Sequence, residues 1–154
     1  MWASIIAVLG TLAGALTAGL LQHRAAHTAR AEQRADGHRQ DRLAAVTEFA
    51  AALDAHRSAL FHRERLALTQ AGTEYELEAR TRSHDTRAAI TAPHVRLQVL
   101  VPELAGPAQQ AADATYAMRR ATRRSDLDTL RRAAKEAAGA FVAAAAALLH
   151  PDHR

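Results

Sequence analysis

Nine histidines and twenty basic residues are the side chains of this 154-residue chain with the widest chemical repertoire. His23 and His27 lie four residues apart, so on a helix they share one face, as two ligands of a metal ion would. Zinc takes three or four ligands steadied by an outer layer of hydrogen bonds, and no cysteine and no acid completes this pair. Exposed histidines are expected there, and no metal. Ser83, His84 and Asp85 carry the letters of a hydrolase triad. Consecutive residues of one helix point in different directions and cannot hydrogen-bond in series, so no nucleophile is activated at this point. His84 is instead expected to pack or hydrogen-bond near a helix seam. The patterns G-x-x-x-x-G-K, G-x-S-x-G and H-E-x-x-H do not occur. Neither a catalytic residue nor a cofactor is expected.

The densest basic cluster comprises Arg119, Arg120, Arg123 and Arg124, with Arg131 and Arg132 beyond Ser125, offset by Asp126 and Asp128. Guanidinium groups gathered in this way suit phosphate oxygens, on DNA or on anionic lipid. The plainer reading is a solvated helix end whose arginines complement the helix dipole. No aromatic residue interleaves with the cluster, so a base-stacking platform lacks support. Across the whole chain sixteen acids balance most of the base, leaving a formal charge of +4, which is no polybasic nucleic-acid tail. Every basic residue except Lys135 is Arg.

The elements that hold these groups follow from composition and spacing. Aromatics make up 4% and alanine is abundant, which suits close helix–helix packing and an all-α fold rather than a sheet. The absence of cysteine excludes disulfides and thiolate chemistry. Residues 2–21 are twenty consecutive residues without a charge. At ~1.5 Å per residue they match the ~30 Å hydrocarbon core of a bilayer. Ser4, Thr11 and Thr17 can return their hydrogen bonds to the backbone, and Trp2 stands where an interfacial anchor would. A cleavable signal peptide carries its positive charge before the apolar run, whereas here Arg24, Arg30, Arg34, Arg39 and Arg42 follow it. That order predicts a single transmembrane span, with the N-terminus outside and the remainder cytoplasmic. Ala3, Ala7, Gly10, Gly14 and Ala18 form a small-residue stripe through which two copies could associate as a homo-oligomer, with Gly10 and Gly14 at the closest approach.

The chain therefore divides into a transmembrane helix over residues 1–22, a helical juxtamembrane stalk over 23–42, and a cytoplasmic bundle of about four helices over 43–154. A seam of Leu43, Val46, Ala50, Leu53, Arg57, Leu60, Glu64 and Ala67 steps by three and four. Ala71-Gly72 supplies a turn, and Thr73 with Glu76 spells a capping box. A hairpin about Gly72 then sets Phe49 against Val95, Leu53 against Thr91, Leu60 against His84 and Ala67 against Leu77. Glu48 meets Arg96 and Glu64 meets Arg80, while Arg57 conflicts with Arg87. The second helix passes Pro93 with a kink and runs through Val95, Leu97, Val99 and Val101. Pro102 and Gly106-Pro107 mark a break, after which a third helix is expected from about Ala108 to Arg123. Ser125 with Asp128 caps a fourth, whose apolar face is Leu127, Leu130, Ala134, Ala138, Phe141, Ala145 and Leu148. Residues 137–149 are uncharged but too few to cross a bilayer.

Several strings carry a resemblance: Ala7-Val8-Leu9-Gly10-Thr11-Leu12, Asp41-Arg42-Leu43-Ala44-Ala45-Val46-Thr47, Ser83-His84-Asp85-Thr86-Arg87-Ala88-Ala89-Ile90-Thr91, and Ala114-Thr115-Tyr116-Ala117-Met118-Arg119. They resemble small actinobacterial membrane proteins labelled KilB-like, after a transfer and spread protein of streptomycete plasmids. The resemblance implies an accessory role at the membrane in moving plasmid DNA. Together these readings lead to the expectation of a non-enzymatic, membrane-anchored helical scaffold that self-associates and presents its cytoplasmic helices to a protein partner. The alternative is a phosphate-binding adaptor that holds DNA or anionic lipid through the cluster of residues 119–132.

Overall fold

The computed structural model describes the backbone of residues 2–70 and 72–149 and the side chains of residues 33–70 and 72–149. Every regular element among the described residues is helical, without a strand: α1 (Trp2–Thr69), α2 (Thr73–Leu100), α3 (Ala105–Ala117) and α4 (Arg124–Leu149), with single 3₁₀ turns at Pro102–Leu104 and Met118–Arg120. The chain separates into two units, Met1–Gln40 and Asp41–Arg154. The expected span over residues 2–21, its Gly10/Gly14 face and the His23/His27 pair lie outside the residues whose side chains are described. Among the described residues no helix is long and apolar enough to cross a membrane.

In the second unit α1 and α2 form the hairpin. Gln70 and Gly72 take positive φ values of 50° and 108°, a conformation that glycine adopts without penalty. The Gly72 carbonyl accepts the Glu76 N–H at 3.2 Å, which makes Gly72 the residue that opens α2. Thr73 is therefore already helical, and no side chain caps the end. The expected Thr73–Glu76 capping box does not form, because a hydroxyl inside the first turn cannot reach the free N–H groups ahead of it.

Val46, Phe49, Leu53, His56 and Leu60 are buried on α1, alternating steps of three and four. Ala79, Ser83, Ile90 and Leu97 are buried on α2. Glu48 and Arg96 pair as the spacing predicts, at 2.7 Å. The apolar register nevertheless differs by one residue. Phe49 stacks 5.1 Å from His94 instead of facing Val95, which is 54% exposed. Thr91 and His84 are exposed, and their neighbours Ile90 and Ser83 are buried. Two aromatic rings decide the frame: burying Phe49 and His56 removes more apolar surface from water than burying Ala50 and Arg57 would. Arg57 instead pairs with Asp54 on its own helix, and Arg87 lies over the Tyr116 ring, so the expected Arg57–Arg87 conflict does not arise. Glu64 pairs with Arg63 rather than with Arg80. At the turn end Ala67 and Leu77 are exposed instead of facing inward.

α2 runs unbroken past Pro93 to Leu100, as a helix and not a strand. The break comes at Pro102, and α3 starts at Ala105, three residues before the expected position. Gly106 and Pro107 fall in its first turn, where a missing backbone N–H costs nothing. α3 buries Ala108, Ala111, Ala112 and Thr115, and it packs against α4. α4 buries Leu127, Ala134, Phe141 and Ala145, the face expected of it. An edge-to-face contact of 5.2 Å between Phe49 and Phe141 ties α4 to the hairpin. Ser125 sits inside α4 rather than capping it, and its hydroxyl reaches Asp126.

Candidate functional site

α3 stops at Ala117 and the Met118–Arg120 turn follows, so the basic cluster is spread over a turn, a connection and a helix start. Arg123 pairs with Asp126 at 3.3 Å, and Thr122 and Ser125 also bond that carboxylate, which holds it below the usual range. Arg131 is half-buried, its guanidinium 4.1 Å above the centre of the Phe61 ring. Arg119, Arg120, Arg124 and Arg132 are exposed. Arg119 is set apart from the others by what lies beside it.

It joins His56, Arg63, Ser83, His84 and Arg87 around a cavity of about 140 Å³. His56 is 1% exposed and forms one side of this cavity. Its Nδ1 lies 3.0 Å from Thr86 Oγ1, and the Thr86 hydroxyl donates to the Arg82 carbonyl at 2.9 Å. With its proton so committed, Thr86 accepts from the ring, and Nδ1 carries the hydrogen. The other nitrogen, Nε2, is then a bare lone pair, and it has no hydrogen-bond partner. The Tyr116 and His56 rings meet edge to face with centroids 5.6 Å apart, and Arg87 lies 4.8 Å above the same tyrosine ring.

Burial, reinforced by the charges of Arg87, Arg119 and Arg63, lowers the His56 pKa from 6.5 to about 4. The ring is neutral at pH 7. Burial raises the Glu64 pKa, opposed by Arg63, 3.6 Å away, and by Arg119. Arg87 and Arg119 form no ion pair among the described residues. Three guanidiniums and a desolvated imidazole thus surround a space with one carboxylate at its margin, an electropositive pocket without an activated nucleophile. Among the described residues no three His, Cys, Asp or Glu side chains gather as a metal site would require.

Spacing alone singled out Arg119 but not His56, Arg63 or Arg87. The available signal was the position of His56, three residues after Leu53 and four before Leu60 on an apolar face.

Residues 43–149 match the family described as KilB plasmid transfer protein. The chain belongs to the KilB family. Protein KilB of Streptomyces lividans is 51% identical over 146 residues, which cover 95% of this chain and 97% of that protein. No solved structure matches the chain. The KilB match takes in α1 from Leu43 together with α2, α3 and α4, so every residue around the His56 cavity lies within it.

Proposed function

We propose that this chain is a non-enzymatic, membrane-anchored helical adaptor that takes part in the transfer or spread of a plasmid. The observation that carries this reading is the KilB plasmid transfer match across the entire bundle. The uncharged run of residues 2–21 supports the anchor, and the arginines that follow it support a bundle held on the cytoplasmic face. Gly10 and Gly14 would form the face for self-association in the bilayer. The test combines location and phenotype. The chain should sediment with membranes and resist extraction by high salt, and a C-terminal reporter that works only in the cytoplasm should be active. Deleting the gene should lower plasmid spread while leaving plasmid replication intact. Release by salt alone, or unchanged spread, overturns the reading.

A second reading is favoured by the exposure of Arg120, Arg124 and Arg132, none of which forms an ion pair among the described residues. These side chains would contact phosphates of DNA or of anionic lipid. Binding of that kind weakens steeply with added salt, whereas association through the small-residue face does not.

A further inference from the structure

We propose that the cavity between α1, α2 and the Met118–Arg120 turn binds a single terminal phosphate group, inorganic or monoester, held by Arg63, Arg87 and Arg119 with His56 beneath it. This site does not rest on the membrane or DNA readings above.

Three observations converge on it. The first is charge: arginines from three separate stretches of chain line one small space, and all three lie near enough to act on His56. Such groups repel one another, and an arginine fork matches the oxygens of a tetrahedral anion closely. The second is size. About 140 Å³ holds roughly five waters at ~30 Å³ each, comparable to the five heavy atoms of a phosphate. The third is His56, almost wholly buried, with Nε2 unpartnered. A buried polar atom left unsatisfied costs free energy, and protonation of the ring beside a bound anion offsets part of that cost.

The charged and titratable groups around the ring are Arg63 and Glu64 from α1, His84 and Arg87 from α2, Tyr116 from α3 and Arg119 from the turn. Burial, and after it the three cations, keep His56 neutral. A dianion offsets their charge and favours the imidazolium across the cavity wall, so filling the cavity raises the tendency of His56 to take up a proton at Nε2. Binding and proton uptake are then linked.

Calorimetric titration of the full chain in detergent micelles tests this. Inorganic phosphate should bind, and Arg119→Gln should weaken it at least tenfold without altering thermal unfolding in the absence of phosphate, because Arg119 is exposed. Sulfate, which carries no proton near neutrality, isolates the contribution of the protein. Its affinity should fall as pH rises from about 5.5 to 7.5, and His56→Gln, which keeps a donor at the same place, should flatten that slope. Short-chain phosphatidic acid in the same micelles separates the two sources of a terminal phosphate. Arg119-dependent binding of inorganic phosphate assigns a free ligand, and Arg119-dependent binding of the lipid alone assigns a headgroup. The proposal fails if neither shows an Arg119-dependent signal at millimolar concentration, or if the sulfate slope persists in His56→Gln.

Discussion

Arg96 donates from a single nitrogen, Nη1, to both carboxylate oxygens of Glu48, at 2.7 and 2.9 Å, and so spans the two arms of the hairpin. A second partner, Asp41, lies 3.6 Å from Nη2. The side chains of Arg96 and Glu48 are 40% and 47% exposed, so water and salt screen the attraction. A double-mutant cycle of Glu48→Ala and Arg96→Ala should give a coupling of ~0.2–1 kcal/mol that shrinks in high salt. A value of several kcal/mol would mean the pair is buried.

The register of the hairpin has a sharper test. Phe49→Ala removes a ring enclosed by His94 and Phe141 and should cost ~3–5 kcal/mol in urea unfolding. Val95→Ala, at a side chain facing solvent, should change stability by less than ~0.5 kcal/mol. Equal effects would return the seam to the frame that pairs residues 49 and 95.

His56 makes stability depend on pH. Its pKa is about 4 in the folded chain and 6.5 when free, so between these values the unfolded chain binds the extra proton. Stability contributed by the neutral ring is complete above pH 6.5 and is lost as pH falls towards 4, by roughly 3 kcal/mol. Glu64, raised by burial, acts in the opposite sense. Unfolding of His56→Gln, measured from pH 7 to pH 4.5, should lack the loss that the unaltered chain shows.

Gly72 is constrained by backbone conformation and not by space. A Cβ there would meet nothing within 4 Å, yet φ is 108°. Gly72→Ala should therefore destabilise the chain by ~1 kcal/mol or more, without a clash to relieve. An unchanged melting temperature would show that the turn can reshape around the new residue.

Particular residues show what spacing can and cannot convey. Leu53, Leu60 and Val46 were legible on α1, as were Leu127, Ala134, Phe141 and Ala145 on α4, because apolar side chains at steps of three and four leave few frames. Phe49 was legible as an inward residue but its partner was not, and His56 was missed, since the same steps admit a neighbouring frame through Ala50 and Arg57 and only packing against α2 and α4 decides between them. Gly106-Pro107 read as a break and proved to be the first turn of a helix, a position where proline is as much at home as in a loop. The cavity was the least legible feature. Arg63, Arg87 and Arg119 are remote in sequence, and only the folded hairpin and the turn after α3 bring them around His56.

Among the described residues, eight of the nineteen buried hydrophobic side chains are alanines, concentrated where α3 meets α4. Each methyl withdraws little apolar area from water, and it is newly exposed apolar area that raises the heat capacity on unfolding. The bundle should fall below the ~12–15 cal/mol/K per residue typical of globular proteins. Its free energy of unfolding then curves less with temperature, so the bundle changes little in stability between cold and warm surroundings and is slow to denature on chilling.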